Sequence, residues 1–215
     1  MVVWKRAFDV ASASLLLVAC APLLAVAVIA IYIDMGRPIF FVQKRAGRHG
    51  RPFRILKLRT LCAKEDDEES APPSPILDAT AVGRVLRRWA IDELPQLWNV
   101  LRGDMNIVGP RPVLLPEARG YDDRQRDRLT VRPGLTGWAQ IHGRNALPWH
   151  ERVELDLWYV NHATVWTDLK ILLYTPVVLL TGTGVVGPGT QDPPTDEVRS
   201  QSTSKSISAE SVSEA

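Results

Sequence analysis

From Val10 to Ile33 the chain runs for 24 positions without a charged side chain. As one straight helix this stretch reaches roughly 36 Å, enough for a bilayer core of about 30 Å. Three readings compete. Leu17-Val18-Ala19-Cys20 has the form of a lipoprotein cleavage box behind Lys5 and Arg6, but the apolar run continues for thirteen residues past Cys20, a poor start for a mature chain. A plain transmembrane anchor is the second reading. The third is a re-entrant hairpin. Pro22 lies near the middle, removes an amide donor and clashes with the preceding turn, and each half is then about 18 Å long. Basic residues flank both ends: Lys5 and Arg6 in front, Arg37, Lys44, Arg45, Arg48 and Arg51 behind. Positive residues favour the cytoplasmic side, and a hairpin keeps both clusters there. Charge and proline together favour the hairpin, although proline alone is tolerated in spanning helices.

Beyond this segment the pattern changes to short elements. Ile39–Val42 predicts a strand, and Phe53–Arg59 alternates apolar and basic residues in part. The turn-rich Ala46–Pro52 between them makes a β-hairpin. Residues 64–80 are acidic, then proline-rich, and read as an exposed loop. A helix begins at Ala81, with Arg84, Arg87 and Arg88 on one face and Val85, Leu86 and Trp89 on the apolar side. Another starts at Pro95 and ends near Gly103. Residues 151–162 and 168–181 predict two more; the second, interrupted by Pro176, reads as an interfacial or core helix. Trp149, Trp158 and Trp166 suit a membrane interface or core packing equally. After Gly187 the chain turns to Gly, Pro, Ser and Thr, the composition of a disordered tail.

Charge sharpens the picture. The net charge of +2 hides an acidic tail; the remainder is basic apart from the run Glu65–Glu69. Such a surface favours phosphates or acidic lipid headgroups. Nucleic acid is allowed by charge alone, but no nucleic-acid motif accompanies it. Cys20 and Cys62 form neither a disulfide framework nor a metal-binding spacing.

The sharpest local chemistry is Asp92-Glu93, two carboxylates just ahead of a helix. The pair can hold a hard cation such as Mg²⁺, or one carboxylate can attack phosphorus; ordinary helix capping explains it as well. Gly109-Pro110-Arg111-Pro112 is a rigid turn that presents one arginine, and Arg132-Pro133-Gly134 and Gly143-Arg144-Asn145 repeat the theme. Each suits a phosphate or, equally, a solvated turn. Lys57 and Arg59 share one strand face. The histidines lack metal-site spacing, and no P-loop, GxGxxG or nucleophilic triad is readable.

The ordered set carries more than its parts. Lys5-Arg6-x-x-Asp9 leads into the apolar run with Pro22. Then come Lys57-Leu58-Arg59-Thr60, Asp92-Glu93-Leu94-Pro95-Gln96-Leu97-Trp98-Asn99-Val100 and Gly103-Asp104-Met105. Val108-Gly109-Pro110-Arg111-Pro112, Val131-Arg132-Pro133-Gly134-Leu135-Thr136-Gly137 and Gly143-Arg144-Asn145 follow. Over roughly residues 1–187 this resembles the bacterial sugar transferase family, the monotopic polyprenyl-phosphate phosphoglycosyl transferases, in its minimal catalytic form. The resemblance implies a UDP-sugar donor, a polyprenyl (undecaprenyl) phosphate acceptor, Mg²⁺ as cofactor, and a two-step reaction. Asp92 matches the nucleophile and sits near the metal, Glu93 the second acid of the dyad, and Arg111 a phosphate contact. Lys57, Arg59, Arg132, Arg144 and Asn145 complete the expected substrate-binding set. One departure stands out: Ala21 precedes Pro22 where many members carry serine.

The expectation is therefore an α+β, predominantly helical protein. Residues 1–36 form a re-entrant membrane helix broken at Pro22. Residues 37–187 form a catalytic domain with a small β-hairpin and interfacial helices, and residues 188–215 a disordered tail. The expected place is the cytoplasmic face of the bacterial inner membrane, with no nucleic-acid partner and a homo-oligomer left open. Two other readings stand beside it: direct displacement with Asp92 only a metal ligand, and a membrane-anchored scaffold that binds acidic lipid or a partner protein without catalysis.

Overall fold

The computed structural model describes residues 2–61, 79–143 and 146–181. Helix α1 spans Val2–Met35, and Pro22, expected to break it, lies inside the continuous helix. A proline deletes one amide donor, and the bonds on either side can carry a long helix through that gap. Toward each end α1 buries one face, and between them no side chain is buried. Asp9 and Ala13 are buried at one end, Ala27 and Ile31 at the other, whereas Leu15 and Val18 are more than 70% exposed.

The predicted hairpin is present. Strands β1 (Phe40–Ala46) and β2 (Pro52–Leu58) are antiparallel, pairing Phe40 with Leu58 and Ala46 with Pro52. The observed β1 is longer than the expected Ile39–Val42. Its second half, Gln43-Lys44-Arg45-Ala46, is mostly polar and carries little hydrophobic signal. His49 and Gly50 turn the chain at positive φ.

Helix α2 (Ala81–Arg88) starts where expected, because the Thr80 side chain accepts a hydrogen bond from the Gly83 amide. Helix α3 (Gln96–Arg102) begins behind Pro95 and stops at Gly103, whose φ of 88° suits a residue without Cβ. A second sheet was not foreseen. Strands β3 (Asn106–Val108) and β4 (Gly134–Thr136) pair in parallel. Three-residue strands 28 positions apart, Asn106 against Gly134, leave no periodicity to read. Short helices α4 (Leu115–Arg119), α5 (Asp123–Arg126) and α6 (Trp138–Ile141) follow, then α7 (Trp149–His162) and α8 (Val165–Thr181).

One core joins Ala13 of α1 to Ile55, Leu97, Val100, Met105, Ile107, Tyr159 and Ile171. A second joins Ala27 and Ile31 of the other arm to Leu58 and Leu86. Polar ties fix both ends of α1. Arg6 donates to the Val100 and Leu101 carbonyls at 2.6 and 2.8 Å, satisfying the C-terminal end of α3. Lys5 pairs with Asp168, and Asp9 accepts from the Ile107 amide. Trp149 packs in a third cluster, with Tyr121 and Ala46, while Trp166 stands 78% exposed. The acidic loop through residue 78 and the tail 188–215 lie outside the described residues.

Candidate active site

The two carboxylates of the site sit on a 3₁₀ turn, Ile91–Glu93, between α2 and α3. Ala90 enters it at φ 54°, a left-handed conformation that reverses the chain after the last turn of α2. The following Pro95 sets the start of α3. Both acids therefore stand at the joint that the sequence pointed to.

Their surroundings differ. Glu93 is clamped by two cations. Lys57 Nζ lies 2.8 Å from Oε1; Arg111 places Nη2 2.8 Å from Oε1 and Nη1 3.4 Å from Oε2. Burial alone would raise the Glu93 pKa, but Arg111 and Lys57 outweigh it and hold the carboxyl well below its ordinary value. Asp92 is also buried, and it is not part of this clamp. Burial first, then the Glu93 charge beside it, pushes its pKa up to about 6; Lys57, Arg87 and Arg111 offset only part of the rise. Adjacent acids with opposite shifts are suited to different roles, one fixed as an anion and one reactive.

Remote contacts hold the clamp. Asn99 of α3 accepts from the Leu56 amide at 3.0 Å and donates to the Arg54 carbonyl at 2.7 Å. It thus acts as a short extra strand on the edge of β2 and sets Lys57 against Glu93. Arg111 is set by backbone crossing. A Cβ on Gly109 would lie 2.6 Å from the Arg132 carbonyl oxygen and 2.9 Å from the Gly134 amide, and one on Gly137 would overlap the Gly109 carbonyl. The glycines of the two motifs let these backbones touch. Beneath them, buried Arg128 donates to the Arg111 carbonyl at 3.2 Å and to the Tyr121 hydroxyl at 2.6 Å, and pairs with Asp156 at 2.6 Å.

The other expected residues are placed differently. Arg59 turns its guanidinium to the Met35, Gly36 and Arg37 carbonyls, at 2.5, 3.1 and 3.4 Å, where it satisfies the C-terminal end of α1. Arg132 is half-buried, with its backbone against Gly109. Arg144 and Asn145 lie outside the described residues. Sequence reasoning missed Asn99, Arg128 and Arg87. The spacing of Arg84, Arg87 and Arg88 gave a signal for Arg87, but not which of the three acts on the Asp92 charge.

Among the described residues no cluster of three or more His, Cys, Asp or Glu forms a metal cage. Asp92, buried and outside the clamp on Glu93, leaves a carboxylate disposed as Mg²⁺ commonly uses one, sharing the ion with substrate phosphates and water.

Comparison with known proteins agrees with the geometry. A model of the family described as "Bacterial sugar transferase" matches residues 1–182. An "Uncharacterized sugar transferase EpsL" of Bacillus subtilis is 42% identical over 84% of this chain and 89% of its own length. A "UDP-glucose:undecaprenyl-phosphate glucose-1-phosphate transferase" of Caulobacter vibrioides is 44% identical over 82% of this chain and 70% of its own. An "Undecaprenyl-phosphate galactose phosphotransferase" of Salmonella typhimurium is 37% identical over 82% of this chain, but only 40% of that longer protein. This chain belongs to the bacterial sugar transferase family.

Proposed function

We propose that the protein transfers a sugar 1-phosphate from a UDP-sugar to polyprenyl phosphate, of the undecaprenyl type, through a covalent intermediate on Asp92. The carrying observation is the split electrostatics of the dyad: Glu93 fixed as an anion between two cations, Asp92 raised and outside that clamp. In the first step an Asp92 carboxylate oxygen attacks the sugar-bearing phosphorus. The bond from phosphorus to the bridging oxygen breaks, and its electron pair leaves with UMP. In the second step an oxygen of the lipid phosphate attacks the same phosphorus and returns the electron pair to Asp92. Arg111 and Lys57, oriented by Glu93, stand where they can offset charge on phosphoryl oxygens. Asp92 would hold Mg²⁺ together with the donor phosphates, and the ion would supply charge neutralisation there.

The relatives named as undecaprenyl-phosphate glucose and galactose phosphotransferases support the reaction class. They support undecaprenyl phosphate as acceptor and a UDP-sugar as donor. The α1 helix is long and apolar enough to cross a membrane. Its two ends, however, are tied to elements that bond each other: Arg6 to α3, Met35 to Arg59 after β2, and β2 to α3 through Asn99. That arrangement supports a re-entrant segment, with the catalytic domain on the cytoplasmic face of the inner membrane.

Intact-protein mass spectrometry after adding a UDP-sugar without acceptor tests the proposal. A gain of one sugar phosphate, lost in Asp92→Asn, is expected. UMP release without an adduct would indicate direct displacement, and no UMP release with any sugar donor would indicate a scaffold.

A further inference from the structure

Lys57 and Arg111 are both engaged by Glu93, and Arg59 is engaged by the end of α1. One more cation stands at the turn that leads into Asp92. Arg87 sits in the last turn of α2, and its carbonyl accepts from the Ala90 amide at 3.2 Å. The left-handed Ala90 then turns the chain so that Asp92 comes back beside that turn. Among the described residues Arg87 has no carboxylate partner and no side-chain hydrogen bond.

The position of α2 gives this cation a direction. Buried Leu86 packs against Ala27 and Ile31 of the apolar helix, with Val82 and Ile91 half-buried around it. The outer face carries exposed Val85 and Trp89, and the Arg88 guanidinium lies 5.9 Å over the Trp89 ring. Arg84 is tied back to the Ala79 carbonyl at 2.7 Å. An apolar, aromatic and basic surface beside a membrane helix is where a lipid phosphate meets protein.

Resting on the reaction read above, we propose that Arg87 binds the phosphate of the lipid acceptor, on the flank of Asp92 that faces the apolar helix, while Lys57 and Arg111 serve the donor. In the second step the attacking oxygen belongs to a phosphomonoester carrying up to two negative charges. It forms a new P–O bond to the phosphorus held on Asp92, and the P–O(Asp92) bond breaks with its electron pair returning to the carboxylate. An arginine with no carboxylate partner among the described residues offsets the charge of the incoming group at little cost to those contacts.

The experiment compares wild type, Arg87→Gln and Arg87→Lys in nanodiscs of neutral lipid, varying UDP-sugar and polyprenyl phosphate separately. Arg87→Gln is expected to raise the acceptor KM by about 10-fold or more, with Arg87→Lys intermediate. Assayed at pH 8.5, where Asp92 is ionised with or without the Arg87 charge, the donor KM and the rate of adduct formation without acceptor should stay within about 3-fold of wild type. A slowed adduct and a raised donor KM with unchanged acceptor KM would assign Arg87 to the donor diphosphate and overturn the proposal, as would unchanged kinetics throughout. If Arg87→Gln folds poorly, the same split is read on Arg87→Lys. If wild type forms no adduct, the covalent reading fails, while the two KM values still judge Arg87.

Discussion

Arg111 grips Glu93 at two points, Nη2 on Oε1 at 2.8 Å and Nη1 on Oε2 at 3.4 Å, and Lys57 shares the first oxygen. The pair aims the guanidinium while keeping Glu93 ionised, so Glu93 acts as an orienting anion. Glu93→Gln removes the charge but keeps the shape. It should lower kcat/KM on the order of 10²-fold, since misplacing a positioning group by about 1 Å costs that much. Arg111→Lys cannot rebuild the fork and should lose activity by a similar factor. Steady-state UMP production checks both; near wild-type turnover in Glu93→Gln would remove its orienting role.

The raised Asp92 pKa has a thermodynamic consequence. Folding lifts it from 3.8 to about 6, so the folded state disfavours the carboxylate. The cost is absent below the unfolded value, grows as pH rises from 3.8 through about 6, and levels off above, at on the order of 3 kcal/mol. In metal-free protein Asp92→Asn should therefore raise Tm at pH 7.5, with the gain vanishing toward pH 4, while abolishing transfer. Thermal unfolding in EDTA across pH reads this; a gain independent of pH would contradict it.

Arg128 and Asp156 form a buried ion pair under the Arg111 turn. Burial pushes the Asp156 carboxyl up to about 6 in spite of Arg128 beside it, so its ionised form is costly to keep there. Arg128→Met strands that carboxylate and should destabilise by about 3–5 kcal/mol, while Arg128→Met/Asp156→Leu should recover much of the loss. Because Arg128 also holds the Arg111 carbonyl, the double variant should stay impaired in kcat/KM. Denaturant unfolding beside kinetics separates the two effects; full activity in a stable double variant would show that the network does not orient Arg111.

How far the sequence carried the fold follows from the range of the forces involved. The hairpin and helices α2, α3 and α7 were legible because their signals are local: Thr80 as a cap, Pro95 and Gly103 as punctuation, and apolar spacing along Trp149–His162. Asp92 and Glu93 were legible as a pair, but their difference was not, because Lys57 and Arg111 reach Glu93 from 36 and 18 residues away. Strands β3 and β4, the Asn99 contacts with β2 and the Arg128 network are likewise products of chain crossings. Arg59 illustrates the converse. It was expected on a strand face with Lys57, but β2 stops at Leu58, and nothing local showed that Arg59 serves the end of α1.

The crossing of the two glycine motifs gives its own test. Gly134→Ala would press a methyl group onto the Gly109 backbone, which cannot yield as a flexible side chain would. The expected result is a loss of activity well beyond any loss of folded protein, because the displaced segment carries Arg111. Circular dichroism with UMP release measures both; unimpaired turnover would mean that the contact is not needed to place the arginine.

The course of α1 is the last point that one experiment decides. A straight helix would set Arg6 and Met35 roughly 43 Å apart at 1.5 Å per residue. Yet Arg6 is bonded to Leu101, Met35 to Arg59, and the elements carrying those partners are joined where Asn99 meets Leu56. The exposed apolar side chains between the anchored ends, Leu15, Leu16, Val18, Leu23 and Val26, need a lipid environment. A bent segment would meet both demands, with both ends on the catalytic side and the middle in lipid. In a variant with Cys20 and Cys62 replaced by serine and Val2 by cysteine, an impermeant maleimide should label only after permeabilisation. Labelling of intact cells would place the N-terminus outside, and the ties of Lys5, Arg6 and Asp9 to the catalytic domain would have to be given up with the hairpin.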